Sequence, residues 1–327
     1  MKKIALFSVL VVLGMGLFAN GNKEMKADAS AEKSWKVESE DGVLPGVNPL
    51  NVTGDIITAG SSTVFPLSEV MAERFKDEGY KGNITVDSIG SGAGFERFTV
   101  TGETDIANAS RPIKSQEIEA AKKIGRNPIE FRVGTDALAV TVSKKNDFAK
   151  NVTLEELAKI FVSDKWSDVN PSWPNEKILK FIPGTDSGTF DYFVEEVFKK
   201  DSAPLLGAAN VQMSEDDNVL VQGIEESPYG IGFFGYAYYV ENKDALNILS
   251  IEGVEATKAT VDAAEYPLAR PLFIYSDATI MKNKPQVAAF IAYYLAHVND
   301  EITRVGYFPA NESELMNGKN AWLEANK

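Results

Sequence analysis

Three times along the chain a short apolar run of strand character ends in a cluster of Gly, Ser and Thr. Each then passes into apolar positions spaced three and four apart. Residues 55–59 (DIITA) lead through 60–65 (GSSTVF) to Leu67, Val70, Met71 and Phe75, with Pro66 at a first helical position. Residues 83–89 (NITVDSI) alternate as a strand and lead through 90–94 (GSGAG) to Phe95, Phe98 and Val100, which predict a short helix. Residues 178–182 (ILKFI) lead through 183–189 (PGTDSGT) to Phe190, Phe193, Val194, Val197 and Phe198. A strand that ends in small residues and opens a helix aims unpaired backbone N–H groups at one point, at the positive end of the helix dipole. Ser61, Ser62, Thr63, Ser91, Ser187 and Thr189 add hydroxyls, and Gly188 lets a ligand approach the backbone. Taken singly, each loop is equally an ordinary N-cap; the repetition points to an anion site. No Gly-Lys-Ser/Thr follows the first loop, so it is not a nucleotide P-loop, and GSGAG lacks the central serine of a nucleophile elbow.

The rest of the pattern places further candidates around these loops. Residues 104–113 (TDIANASRPI) read as a brief strand and a turn, with Pro112 opening a helix over 113–124. Arg111 is the one fixed cation near the loops, and its planar fork suits phosphate-like anions; a surface ion pair is the alternative. Residues 130–143 form a long apolar strand pattern with Asp136 in its middle, and 266–275 (YPLARPLFIY) form a second. Both are suited to cross between two lobes, which puts Asp136 near any cleft; a strand-end carboxylate satisfied by backbone N–H groups is the alternative. Thr153 followed by Glu156 predicts a capping box. Trp166 and Trp173 read as packing anchors, and the glycine- and aromatic-rich stretch 229–239 as buried packing.

Composition narrows the function. The chain has 327 residues, enough for two lobes. Its formal net charge of -14 argues against nucleic acid or an anionic membrane as partner. With no cysteine there is no disulfide, thiolate metal site or cysteine nucleophile, and one histidine, His297, rules out a multi-histidine metal site. His297 reads as a partly buried helix-end residue. Residues 1–19 read as an export signal: Lys2 and Lys3, then an apolar run too short for a membrane span. Asn20 stands where a lipoprotein signal carries its cysteine, so this sequence cannot be lipidated there. Residues 20–50 are polar and read as a flexible tether.

GSSTVFPLSEV, SIGSGAG, ETDIANASRPI, TLEELAKIF, PGTDSGTFDYF, EDDNVLVQG and YPLARPLFIY occur in the order seen in the phosphate-binding proteins of bacterial ABC importers, which the chain resembles over most of 55–307. The resemblance implies an α/β, two-lobed periplasmic-binding-protein fold of type II, each lobe a mixed sheet flanked by helices. Two crossing strands join lobe I (51–137 and 270–327) to lobe II (138–269), and the lobes close on the ligand like a hinge. It implies a monomeric, non-enzymatic receptor without cofactor. Such a receptor is exported to the periplasm or held at the outer face of the membrane, binds inorganic phosphate and delivers it to a membrane permease. A receptor for another tetrahedral oxyanion, or a phosphate sensor not coupled to transport, is the alternative. By resemblance, Thr63 with the Val64 backbone N–H is the first-loop contact, Ser91 the second, and Ser187, Gly188 and Thr189 the third; Ser62 and Ser110 are further candidates. Two departures matter. Many members carry an acidic residue where Arg111 stands, and an arginine where this chain has Pro183. Arg111 then supplies the missing cation, and Asp136 and Asp186 become candidates for accepting the proton of hydrogen phosphate. Asp186-Ser187-Gly188 also resembles an aspartic protease triplet, but that chemistry needs a second copy, and the sequence has none.

Overall fold

The apolar runs assemble into one ten-stranded mixed sheet. The computed structural model describes residues 34–40, 42–185 and 187–327. A short antiparallel pair comes first, β1 (Lys36–Val37) with β2 (Gly46–Val47). The first part of the sheet follows as β3 (Ile56–Gly60), α1 (Phe65–Asp77), β4 (Ile84–Ser88), α2 (Ser91–Glu96), a π-helical turn over Arg97–Thr101, β5 (Ile106–Ala109) and α3 (Ser115–Lys123). The long strand β6 (Ile129–Ser143) leads into β7 (Asn151–Val152), α4 (Leu154–Val162), α5 (Trp166–Val169), β8 (Leu179–Pro183) and α6 (Gly188–Val197). Next come α7 (Ala203–Leu206), β9 (Val211–Ser214), α8 (Asp217–Glu226), β10 (Gly230–Gly235), α9 (Tyr236–Glu241), β11 (Leu246–Ile248), β12 (Ser250–Ile251) and α10 (Lys258–Asp262). The chain returns through β13 (Ala269–Ser276), α11 (Ala278–Asn283), α12 (Pro285–Glu301), β14 (Phe308–Pro309) and α13 (Glu312–Ala325).

The main strand order is β4-β3-β5-β13-β6-β10-β8-β9. The outer strands on each side run parallel, β4, β3 and β5 at one end and β10, β8 and β9 at the other. The centre is antiparallel, with β13 beside both β5 and β6. Two hydrophobic cores flank this centre. One gathers Ile56, Leu67, Met71, Phe75, Phe131, Leu272, Tyr294 and Trp322. The other gathers Val140, Val142, Phe161, Phe193, Ile231 and Phe233. β6 serves both, since Phe131 and Val133 lie in the first and Val140 and Val142 in the second. A strand buried over most of its length needs the near-continuous apolar run that the sequence shows.

Local chemistry sets the elements that carry loops. Pro66 sits in the first turn of α1, where its missing N–H costs nothing. Leu67, Met71 and Phe75 are fully buried and pack toward α12, with Phe75 against Phe290 at 5.5 Å between ring centroids. α6 is fixed by Phe193, which stacks on Phe233 of β10 at 3.7 Å and 11°. Fully burying such a ring stabilises by about 1.5–3 kcal/mol, enough to hold the loop before each helix in register. Thr153 and Glu156 form the expected capping box, and Trp166, Trp173 and Phe148 form one aromatic cluster.

The structure corrects the tether reading for its last part. Leu44 is 1% exposed in the first core, and Trp35 meets Trp322 edge-on at 6.3 Å. Sparse apolar residues in a polar stretch were enough to dock it, a signal that composition averages away. The expected export signal lies outside the described residues. No helix among the described residues is long and apolar enough to cross a membrane.

Candidate functional site

The carboxyl ends of parallel strands are where open α/β sheets place ligands. Here the ends of β3, β4 and β5 open into one cleft, lined by Ser61, Ser62, Thr63, Gly90, Ser91, Gly92, Ser110 and Arg111. The facing wall comes from α6, through Asp191, Tyr192, Glu195 and Glu196, with Lys200 just beyond. Arg270, near the start of β13, also lines this cleft, whose volume is ≈ 400 Å³.

The first wall is built from strand ends that release their donors. Gly60 has φ 147, a conformation open to glycine, and its α-carbon lies so near Asn108 that a Cβ would sit 2.0 Å from the Asn108 carbonyl oxygen. This close approach lets Ser61 N–H donate to that carbonyl at 2.9 Å and turns the chain into α1. The backbone N–H groups of Ser62, Thr63, Ser91 and Gly92 donate to no protein acceptor among the described residues. Val64 is different: it is fully buried, and its N–H reaches Ser61 Oγ at 3.4 Å as a cap. Ser91 and Ser110 hydroxyls lie 3.2 Å apart, and Ser91 Oγ accepts from Ser110 N–H at 3.1 Å.

The third loop crosses toward the first. A Cβ on Gly188 would meet Thr63 Cα at 3.0 Å and Ser62 O at 3.1 Å, so glycine permits this approach. Ser187 caps α6, accepting from Thr189 N–H at 3.2 Å. The cap reading therefore holds for Ser187, and Ser187, Gly188 and Thr189 stand beside the cleft-lining residues, not among them. Asp186 lies outside the described residues.

The expectation that Arg111 is the one cation near the loops is corrected. Lys114, Lys200 and Arg270 line the same cleft. Arg111 is already committed: Nη1 and Nη2 donate to the two Glu117 oxygens at 2.9 and 2.7 Å, and its guanidinium lies 4.9 Å over the Phe95 ring. The bonded Glu117 carboxylate raises the Arg111 pKa against the opposing effect of burial.

Arg270 sits at the centre of the arrangement and is 8% exposed. Nε donates to Asp136 Oδ2 at 3.1 Å, from the residue directly opposite on β6. Nη2 donates to the Thr63 hydroxyl and, at 3.0 Å, to the Gly188 carbonyl. Its Cζ lies 3.7 Å from the Tyr192 ring centroid, a cation–π contact. One guanidinium thus touches the loops of both walls. Asp136 is fully buried behind it and does not line the cleft, and its Oδ1 has no hydrogen-bond partner among the described residues. Burial pushes the Asp136 carboxyl up, and Arg270 pulls it back. Behind the first loop, Tyr307 donates its hydroxyl to the Thr63 carbonyl at 2.8 Å.

Sequence reasoning missed Arg270 and Asp191. Arg270 carried a usable signal, a lone charge in an apolar strand, matched by the lone Asp136 in the other crossing strand. Asp191 carried none, since a charge at a polar helix position reads as a solvated face. No group of three or more His, Asp or Glu placed to hold a metal ion occurs among the described residues.

Residues 47–297 match the family model of the PBP superfamily domain. The chain belongs to that superfamily. Within it, the chain is 43% identical over 267 residues to Protein SphX of Synechococcus elongatus, covering 78% of this chain and 77% of that one. It is 36% identical to the phosphate-binding protein PstS of Staphylococcus haemolyticus over 80% of this chain and 83% of that one. The crystal structure of a possible phosphate binding protein from Planctomyces limnophilus superposes with a TM-score of 0.79 at 38% identity, covering 84% of this chain and 100% of that one. The fold is accordingly the two-lobed periplasmic-binding-protein fold of type II expected from the sequence, each lobe a mixed sheet with helices. In this PBP-superfamily chain the cleft lies between the carboxyl ends of β3, β4 and β5 and the helix α6, with Arg270 of β13 between them.

Proposed function

We propose that this chain is a non-enzymatic receptor that binds inorganic phosphate in the cleft and delivers it to the membrane permease of an ABC importer. One observation carries the reading: unspent backbone N–H groups at the starts of α1 and α2, with the Ser62, Thr63 and Ser91 hydroxyls and Arg270, converge on one cleft. A tetrahedral anion offers several acceptor oxygens, and N–H donors at helix starts match them without needing a high local charge. The relatives named as phosphate-binding proteins support phosphate over other oxyanions.

On this reading Thr63, Ser91, Gly188 and Thr189 contact the anion as the two walls close, with Ser62 and Ser110 beside them. Ser187 contributes by shaping the third loop. Because Val64 N–H already has a partner, the Ser62 and Thr63 N–H groups take its expected place. Arg270 is the principal cation, and Arg111 acts from the rim. The protein works as an exported monomer, with residues 1–19 as its signal. Calorimetric titration of the anion-stripped protein tests the central claim. Saturable one-to-one phosphate binding is expected; no heat with phosphate at millimolar concentration overturns it.

A further inference from the structure

A second cavity, of ≈ 230 Å³, shares no lining residue with the anion cleft. α9 forms one side of it, through Tyr236, Val240 and Glu241. Tyr307, Phe308 and Pro309 form the other, where β14 pairs with the crossing strand β6. The cavity sits at the junction of the two cores: Tyr307 belongs to the first, while Tyr236 and Phe308 pack against the second. It has room for a small ring or a branched alkyl group, since a cavity of about 150 Å³ holds benzene.

Its lining pairs aromatic rings with one charge. Tyr236, Tyr307 and Phe308 are aromatic, with Tyr236 and Phe308 at 4.7 Å between ring centroids. Glu241 is the one charged group that lines the cavity among the described residues. Its carboxylate makes no hydrogen bond or ion pair to a protein group among those residues. Arg304, beside the lining residue Thr303, is spent on Glu301 at 2.7 Å. A neutral apolar guest would strip water from the carboxylate and give nothing back, and an anion would be repelled by it. A cation that carries alkyl groups suits both parts, the rings through their quadrupoles and Glu241 through its charge.

We infer that this cavity binds a small organic cation of the alkylammonium class, and that its occupancy is felt at the anion cleft through Tyr307. Tyr307 lines the cavity and donates its hydroxyl to the Thr63 carbonyl, in the loop that carries the open Ser62 and Thr63 N–H groups. A guest packed on Tyr307 favours the arrangement in which that hydrogen bond is made. Cation and anion should therefore strengthen each other's binding, and reciprocally.

The test uses choline and its neutral carbon isostere, 3,3-dimethylbutan-1-ol, followed by backbone amide NMR shifts. Choline at millimolar concentration should saturably shift the amides of 236–241 and 303–308, and the alcohol should bind about tenfold more weakly. Glu241→Gln and Phe308→Leu should each weaken choline binding by about fivefold to tenfold, with Glu241→Gln melting as wild type does. Phosphate, titrated calorimetrically, should bind about fivefold more tightly in choline chloride than in equimolar sodium chloride. No saturable shift, equal binding of the alcohol, or a Glu241→Gln protein that binds choline like wild type overturns the site. Shifts confined to Asp191, Glu195 and Glu196 would put the cation in the anion cleft and overturn it too. Choline bound at 236–241 and 303–308 with phosphate affinity unchanged overturns the link through Tyr307. That last arm rests on the cleft being a phosphate site: choline binding without any phosphate binding overturns the phosphate reading and leaves the cation site standing.

Discussion

The two walls of the cleft use the same device and spend it differently. At the starts of α1 and α2 the N–H groups of Ser62, Thr63, Ser91 and Gly92 are left without protein acceptors among the described residues. At the start of α6 the equivalent serine is consumed: Ser187 Oγ takes the Thr189 N–H, and the first turn adds Asp191. The first wall is therefore a set of donors with one guanidinium, Arg111, largely neutralised by Glu117. The second is a capped helix bearing carboxylates. The same strand–loop–helix device thus gives one wall of open donors and another whose first turn is already capped. Arg270 bridges them, since it reaches Thr63 on one and Gly188 and Tyr192 on the other.

The sharpest way to break this comparison is to remove the bridge. Arg270→Met should abolish measurable phosphate binding. It should also cost about 3–5 kcal/mol of stability, because it strands the buried Asp136 carboxylate. Adding Asp136→Asn should restore much of the stability and none of the binding. Thermal melts and calorimetry of the single and double variants separate the two roles. If the double variant binds phosphate like wild type, Arg270 is a structural strut and the walls act alone.

A second comparison is between serines. Ser187→Ala should cost about 1 kcal/mol of stability through the lost cap and weaken binding only modestly. Ser91→Ala should leave the melting temperature within a degree or two and weaken phosphate binding more, by about fivefold to tenfold. The reverse ranking in a paired melt and titration would mean that the third loop, not the second, carries the anion.

Both the legibility and the blindness of the sequence follow from the same physics. The change from strand to helical period is local, so the three loops, the capping box at Thr153 and the long strand at 129–143 are visible in the residues themselves. The helix expected over 113–124 proved shorter, Ser115–Lys123, because its first turn begins only after Lys114. What stayed hidden depends on register. Asp136 faces Arg270 because β6 and β13 pair antiparallel at that position, and residues 134 apart in sequence carry no mark of it. Asp191 faces the first wall only because Phe193 and Phe190 turn the other side of α6 into the core. The docking of 34–47 rests on Trp35, Leu44 and Val47, three residues in a polar stretch.

The smallest effect sharpens the contrast between carboxylates at helix starts. Asp217 opens α8 as Asp191 opens α6, but it does not line the cleft. Burial, with Asp216 and Glu215 nearby, pushes its carboxyl up from the ordinary 3.8 to about 6. A raised carboxyl binds its proton more tightly in the folded state. Its favourable contribution is therefore fully present below about pH 4 and is lost as pH rises through 6. Full linkage sets a ceiling of about 3 kcal/mol, which solvent on its partly open side reduces to about 1. Asp217→Asn should therefore raise the melting temperature at pH 8 by about 2 °C and leave it unchanged at pH 3.5, with phosphate binding as in wild type. The helix dipole argues the other way, since a charged carboxylate in a first turn is favoured by it. A lower melting temperature for Asp217→Asn at pH 8 would mean that the dipole outweighs burial at α8.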